Sequence, residues 1–120
     1  MSHIVTVQAR IKDTAALALA CRRLGREQPI QGRTRLFSQE VEGLLVRLPK
    51  WRYPVVVDVA QGDLHYDNFE GRWGDLVHLN RLMQMYSVEK TKLEVHKKGW
   101  MVQETSLQNG SIQLQITQLA

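Results

Sequence analysis

Between Asp75 and Lys98, Leu76, Leu79, Met83 and Tyr86 recur at three- and four-residue intervals, with Leu82 and Leu93 beside them. That spacing draws one apolar stripe along a helix that rests on a sheet. Asp75 follows Gly74 and supplies an acceptor for the unpaired amides of the first turn, and Gly99 supplies the left-handed residue that closes the last. After Ser87 the apolar pattern thins, and Lys90, Lys92, Lys97 and Lys98 predict a C-terminal third solvated on most sides, whose cations suit the helix dipole.

The rest of the chain alternates with a period of two, broken by turn residues. His3, Val5, Val7, Ala9 and Ile11 share one face of a first strand, and Asp13 caps a helix from Thr14 to Leu24 closed by Gly25. Leu17, Ala20, Cys21 and Leu24 face inward there, and Arg22, Arg23 and Arg26 outward. The segment REQPIQGR has no period and reads as a mobile loop. Thr34 to Phe37 and Glu42 to Leu48 form a strand pair, with Leu44, Val46 and Leu48 on one face. Val55 to Val59 is the most apolar run and belongs in the centre of the sheet. Gln61-Gly62 turns it into a strand from Leu64 to Phe69, and GRWG leads to the long helix. Two final strands flank Asn109-Gly110. A two-residue turn there would split the apolar set, whereas a three-residue loop, Gln108 to Gly110 with Gly110 left-handed, brings Trp100, Val102, Leu114 and Ile116 to one face.

The order β-α-β-β-β-β-α-β-β, with turn-length links between strands, predicts an α+β fold: a two-layer sandwich of a mainly antiparallel sheet and two helices. At 120 residues it is expected to be one domain spanning 1–120.

The series Leu82, Gln84, Tyr86, Lys90, Gly99, Val102, Glu104, Gly110, Ser111, Ile112 and Leu114, together with the opening MSHIVTVQARIKD and the run VVVDVAQGDLHYD, resembles the family called hypothetical chloroplast reading frame thirty-five. The likeness covers about two thirds of the chain and is weakest from Gly25 to Trp51. Its members are found in algal plastids, cyanobacteria and other bacteria, and carry no assigned activity. The resemblance therefore implies no catalytic residue and no cofactor. It implies a small accessory protein, a companion of an AAA-type ATPase, with a plastid stromal location in algal relatives. Many members end in a basic-aromatic pair, whereas this chain ends Gln118-Leu119-Ala120.

Composition narrows the setting. No run approaches the roughly 18 apolar residues of a membrane span, and the amino terminus lacks an apolar leader pattern, so a soluble, cytoplasmic protein without a membrane partner is expected. The lone Cys21 excludes an internal disulfide. The net charge of +4 is uneven: residues 1–52 carry ten basic side chains against four acidic, and residues 53–120 carry six against eight. Such asymmetry favours an acidic partner, whether nucleic acid, an anionic surface or an acidic protein. Edge strands leave room for a dimer.

Three groups have candidate chemistry. Arg47, Lys50 and Arg52 interleave with Trp51 and Tyr53, an arrangement suited to phosphate contact and base stacking. Trp73, a large aromatic between glycines, is either a core plug or a partner anchor. Asp63, His65 and Asp67 alternate along one strand and could meet a metal or act as acid and base; the alternative is a solvent-facing row opposite Leu64 and Tyr66. Cys21 on the inward stripe reads as packing, and His78 and His96 as helix-surface residues. Phosphate-loop, CxxC and G-x-S-x-G patterns are absent from the sequence, which leans against an enzyme. The leading expectation is a non-enzymatic binding or accessory protein, followed by a nucleic-acid binder and then a metal-dependent enzyme.

Overall fold

A computed structural model describes residues 4–36 and 39–119. His3, Phe37 and Ala120, which figured in the strand and terminus readings, lie outside the described residues. In chain order the elements are β1 (Val5–Val7), α1 (Thr14–Arg23), β2 (Ile30–Leu36), β3 (Gln39–Val46), β4 (Val55–Asp58), β5 (Asp63–Tyr66), a short 3₁₀ turn (Phe69–Gly71), α2 (Leu76–Lys97), β6 (Met101–Ser106) and β7 (Ile112–Thr117). This is the α+β order expected from the pattern. The first five strands form an antiparallel sheet in the order β1-β5-β4-β3-β2, with the apolar β4 in the middle, and β6 and β7 form a separate hairpin.

One face of the sheet carries Val46, Val55, Val57, Leu64 and Tyr66, which pack on Leu17, Ala20 and Cys21 of α1 and on Leu79, Leu82 and Tyr86 of α2. Both helix starts are capped by side chains: Asp13 accepts from the Ala16 amide at 3.1 Å and Asp75 from the Val77 amide at 2.9 Å. Tyr86 joins the two helices, its hydroxyl accepting from the amides of Lys12 and Asp13 at 3.2 and 3.1 Å. Gly43 has a packing reason to be glycine. A Cβ there would stand 2.6 Å from the Val57 carbonyl oxygen and 2.9 Å from a Val56 methyl, so no side chain fits where β3 crosses β4.

Several boundaries depart from the sequence expectation. The first strand ends at Val7, because Arg10 takes a left-handed conformation (φ 57°) that breaks the alternation before Ile11 enters the core. Ile30 to Arg33, read as loop, are strand: β2 pairs with β3 along its whole length, from Ile30 opposite Leu45 to Leu36 opposite Gln39. Strand pairing overrides the weak local signal of Gly32. β5 stops at Tyr66, and Phe69 belongs to the turn beyond it.

The far end of α2 is open to solvent on most sides, with Glu94, His96, Lys97 and Lys98 exposed, but one side of it is covered. Val88 and Val95 are buried outside the main core cluster, and Lys92 pairs with Glu104 of β6 at 2.8 Å. The helix thus has a second covered stripe, facing the hairpin rather than solvent. The hairpin has the three-residue loop: Val102 lies opposite Ile116 and Glu104 opposite Leu114, the Gly110 amide bonds the Leu107 carbonyl, and Gly110 is left-handed at φ 87°. Its tip is held by Gln84, whose side-chain amide donates to the Gly110 carbonyl at 3.0 Å, and its middle by Glu104, which takes the Arg23 guanidinium of α1. Among the described residues no helix is long and apolar enough to cross a membrane.

Candidate functional site

Among the described residues, the loop from Asp67 to Gly74 is built unlike any other. Phe69 and Glu70 are consecutive non-glycine residues with φ of 46° and 55°, followed by Gly71 at 97°. Left-handed geometry costs a side-chain-bearing residue about 1 kcal/mol or more, and more for a bulky aromatic, so something must hold it. The fixings are polar and local. Asp67, 1% exposed, accepts from the Phe69 amide at 3.2 Å, and the buried Asn68 side chain donates to the Gly74 carbonyl at 3.1 Å. The Asn68 carbonyl accepts from the amides of Gly71 and Trp73.

This scaffold presents aromatic rings to the loop before β4. The Arg52 amide donates to the Trp73 carbonyl at 2.8 Å, which clips the two loops together. Phe69 stacks on Trp73 (4.6 Å between centroids, 21° between planes), and Tyr53 meets Trp73 edge-on at 5.6 Å. The Arg52 guanidinium sits over the Trp73 ring at 4.7 Å and over Tyr53 at 5.8 Å, and Arg72 sits over Phe69 at 5.1 Å. The result is a ladder of three half-buried rings and two exposed arginines. Each exposed cation–ring contact contributes roughly 0.5–1 kcal/mol and fixes a side chain that would otherwise sample many rotamers.

Of the sequence candidates, Arg52, Tyr53 and Trp73 come together here. Arg47 and Lys50 are exposed on the adjoining stretch, Lys50 at a left-handed φ of 62°. Trp51 does not join them. Its ring is buried against Tyr66 and its Nε1 donates to the Asp75 carbonyl at 3.0 Å, where a Cβ on Gly74 would collide with the ring at 2.3 Å. It closes the core under the start of α2 and has no face to offer a base. Phe69 and Arg72 were missed because the alternation before them extends β5 too far; the signal that finds them is the Asn68-to-Gly74 run, which places two aromatics and an arginine among glycines.

The Asp63, His65, Asp67 row does not assemble. Asp63 and His65 stand on β5 opposite the inward Leu64 and Tyr66, and His65 Nδ1 hydrogen-bonds Thr6 Oγ1 across the sheet at 2.9 Å. Asp67 lies past the strand end, where Oδ1 accepts from the Phe69 amide and Oδ2 is buried with no hydrogen-bond partner among the described residues. Among the described residues no three His, Cys, Asp or Glu side chains are placed to hold a metal ion. Cys21 is fully buried and burial pushes its thiol up to about 11, opposed by the nearby Arg26 charge, which is the reverse of an activated thiolate.

In comparisons with known proteins, no family model, no curated protein and no solved structure matches this chain.

Proposed function

We propose that the chain is a non-enzymatic binding protein whose docking surface is the ladder formed by Arg52, Tyr53, Phe69, Arg72 and Trp73. The observation that carries this reading is backbone strain placed under half-buried rings: Phe69 and Glu70 hold unfavourable conformations in a loop pinned by Asp67 Oδ1 and Asn68, and the effect is to stack Phe69 on Trp73. Pre-ordered aromatic and arginine side chains are the residues that dominate protein interfaces, because little freedom is lost when a partner arrives. The two arginines, with exposed Arg47 and Lys50 beside them, make an acidic segment of another protein the complementary partner. An AAA-type ATPase, implied by the family resemblance, is the first to try.

A nucleic-acid partner is the competing outcome. Single-stranded binders offer open ring faces, whereas Phe69 and Arg52 already lie over Trp73 and Trp51 is buried. The deciding experiment is capture from host extract with wild type, Trp73→Ala and Arg52→Glu as baits, each with and without nuclease. A defined acidic protein that survives nuclease with wild type and is lost from both variants supports the proposal. Capture that vanishes with nuclease, or that is equal for all three baits, refutes it.

A further inference from the structure

A second site lies apart from the ladder, where the end of α1, the β3–β4 loop and the first turns of α2 meet. Leu24, Leu48 and Val77 line a hollow of ≈ 370 Å³ whose remaining walls include Arg26, His78 and Arg81. The volume falls in the range, above about 300 Å³, that accommodates small molecules. Its chemistry is one-sided: an apolar lining with two guanidinium groups and an imidazole, and no carboxylate.

Among the described residues these arginines have no counter-charge in an ion pair. Arg23, three residues before Arg26, is tied to Glu89 and Glu104, yet no ion pair among the described residues involves Arg26, His78 or Arg81. Arg26 is the sharper case, since its Nε is buried with no hydrogen-bond partner. A buried donor on a permanently charged group is costly to leave unmet, and each such orphan calls for an explanation in the molecule's use. An acceptor arriving with a ligand would meet it. Arginine forks suit carboxylate and phosphate oxygens, and the apolar lining suits a hydrocarbon body attached to them. A neighbouring hollow of ≈ 270 Å³ shares Leu24 and Arg81 but is lined largely by polar groups, Arg23, Gln84 and Ser106 among them, so the apolar chain belongs in the first hollow.

We infer that this hollow binds an amphipathic organic anion, a phosphate or carboxylate head carrying an apolar chain, with Arg26 and Arg81 on the head and Leu24, Leu48 and Val77 against the chain. The probes are hexyl phosphate and heptanoate, with inorganic phosphate and hexanol as the separated halves, titrated by calorimetry into the full chain. The hexyl phosphate or the heptanoate should bind with one-to-one stoichiometry at least about tenfold more tightly than either half. Arg81→Gln, at an exposed position that does not threaten folding, should weaken that binding by about tenfold or more, and Val77→Asp likewise, while Arg35→Gln on the distant β2 strand leaves it unchanged. Arg26→Gln, checked by circular dichroism, should do the same as Arg81→Gln. Equal affinity for hexanol, or affinity indifferent to Arg81→Gln, overturns the inference, as does weakening by Arg35→Gln to the same extent.

Discussion

Tyr86→Phe isolates one atom that holds the two helices in register. The ring is 5% exposed and packs in the core, so phenylalanine keeps its volume and its contacts while the hydroxyl goes. What is lost is the acceptor for two main-chain donors, Lys12 N at 3.2 Å and Asp13 N at 3.1 Å. Both lie at the entrance to α1, ahead of the amides that the helix itself leaves unpaired. A donor stranded in the interior costs about 1–3 kcal/mol. These two are only part-buried, so roughly 2 kcal/mol is expected for the pair. For a chain of this length, unfolding entropy near 2.1 cal/mol/K per residue turns that loss into a fall in Tm of about 8 °C. Urea denaturation should show a lower midpoint with an unchanged slope, and hydrogen exchange should quicken at the first amides of α1 before it quickens in β4. A loss below about 0.5 kcal/mol, the range of an ordinary surface change, would show that the hydroxyl is not what fixes the α1 entrance.

Two further outcomes follow from the same hydrogen-bond and burial arguments. Arg23 first, and then Lys92, hold the Glu104 carboxyl down to about 2 from its ordinary 4.5; a depressed carboxylate stabilises the fold above the upper value and loses that contribution as pH falls toward the lower. Glu104→Gln should therefore be less stable than wild type at neutral pH, with the gap closing between about 4.5 and 2, by an amount reduced because Arg23 is partly open to solvent; a gap independent of pH would remove the ion pair as its cause. Cys21 should resist a thiol reagent such as dithionitrobenzoate in the native protein at pH 8 and react fully in denaturant, and rapid native labelling would contradict its burial.

Much of the architecture was legible where the controlling interactions are local. Asp13, Asp75 and Gly99 announce helix ends because capping is settled within four residues, and the β6–β7 register followed from asking which loop length unites Val102 with Ile116. The central place of β4 followed from a run with no polar face. Illegible were the features decided by partners distant in sequence. Ile30 is a strand residue because Leu45 is opposite, and Val88 is buried because a hairpin more than a dozen residues later folds back over it. The candidate site divided along the same line. Interleaved basic and aromatic residues from Arg47 to Tyr53 were visible, but whether a ring faces out or in depended on Gly74, which admits Trp51 to the core, and on the Arg52–Trp73 backbone bond, which brings Tyr53 to Trp73.

The two covered stripes of α2 set a rule for insertions and deletions. Leu79, Leu82 and Tyr86 address the sheet and α1, while Val88, Lys92 and Val95 address the hairpin, so the angle between the two sets is a property of residue count along one rod. Removing a single residue turns everything downstream by about 100°. Ser87 sits at the junction and is exposed, so Ser87→Ala should leave the melting temperature nearly unmoved. Deleting Ser87 should swing Val88 and Val95 into water and detach the hairpin, and equal melting of the two variants would mean that the hairpin tolerates any rotational phase. Length, rather than composition, is the quantity that this helix conserves on behalf of the rest of the fold.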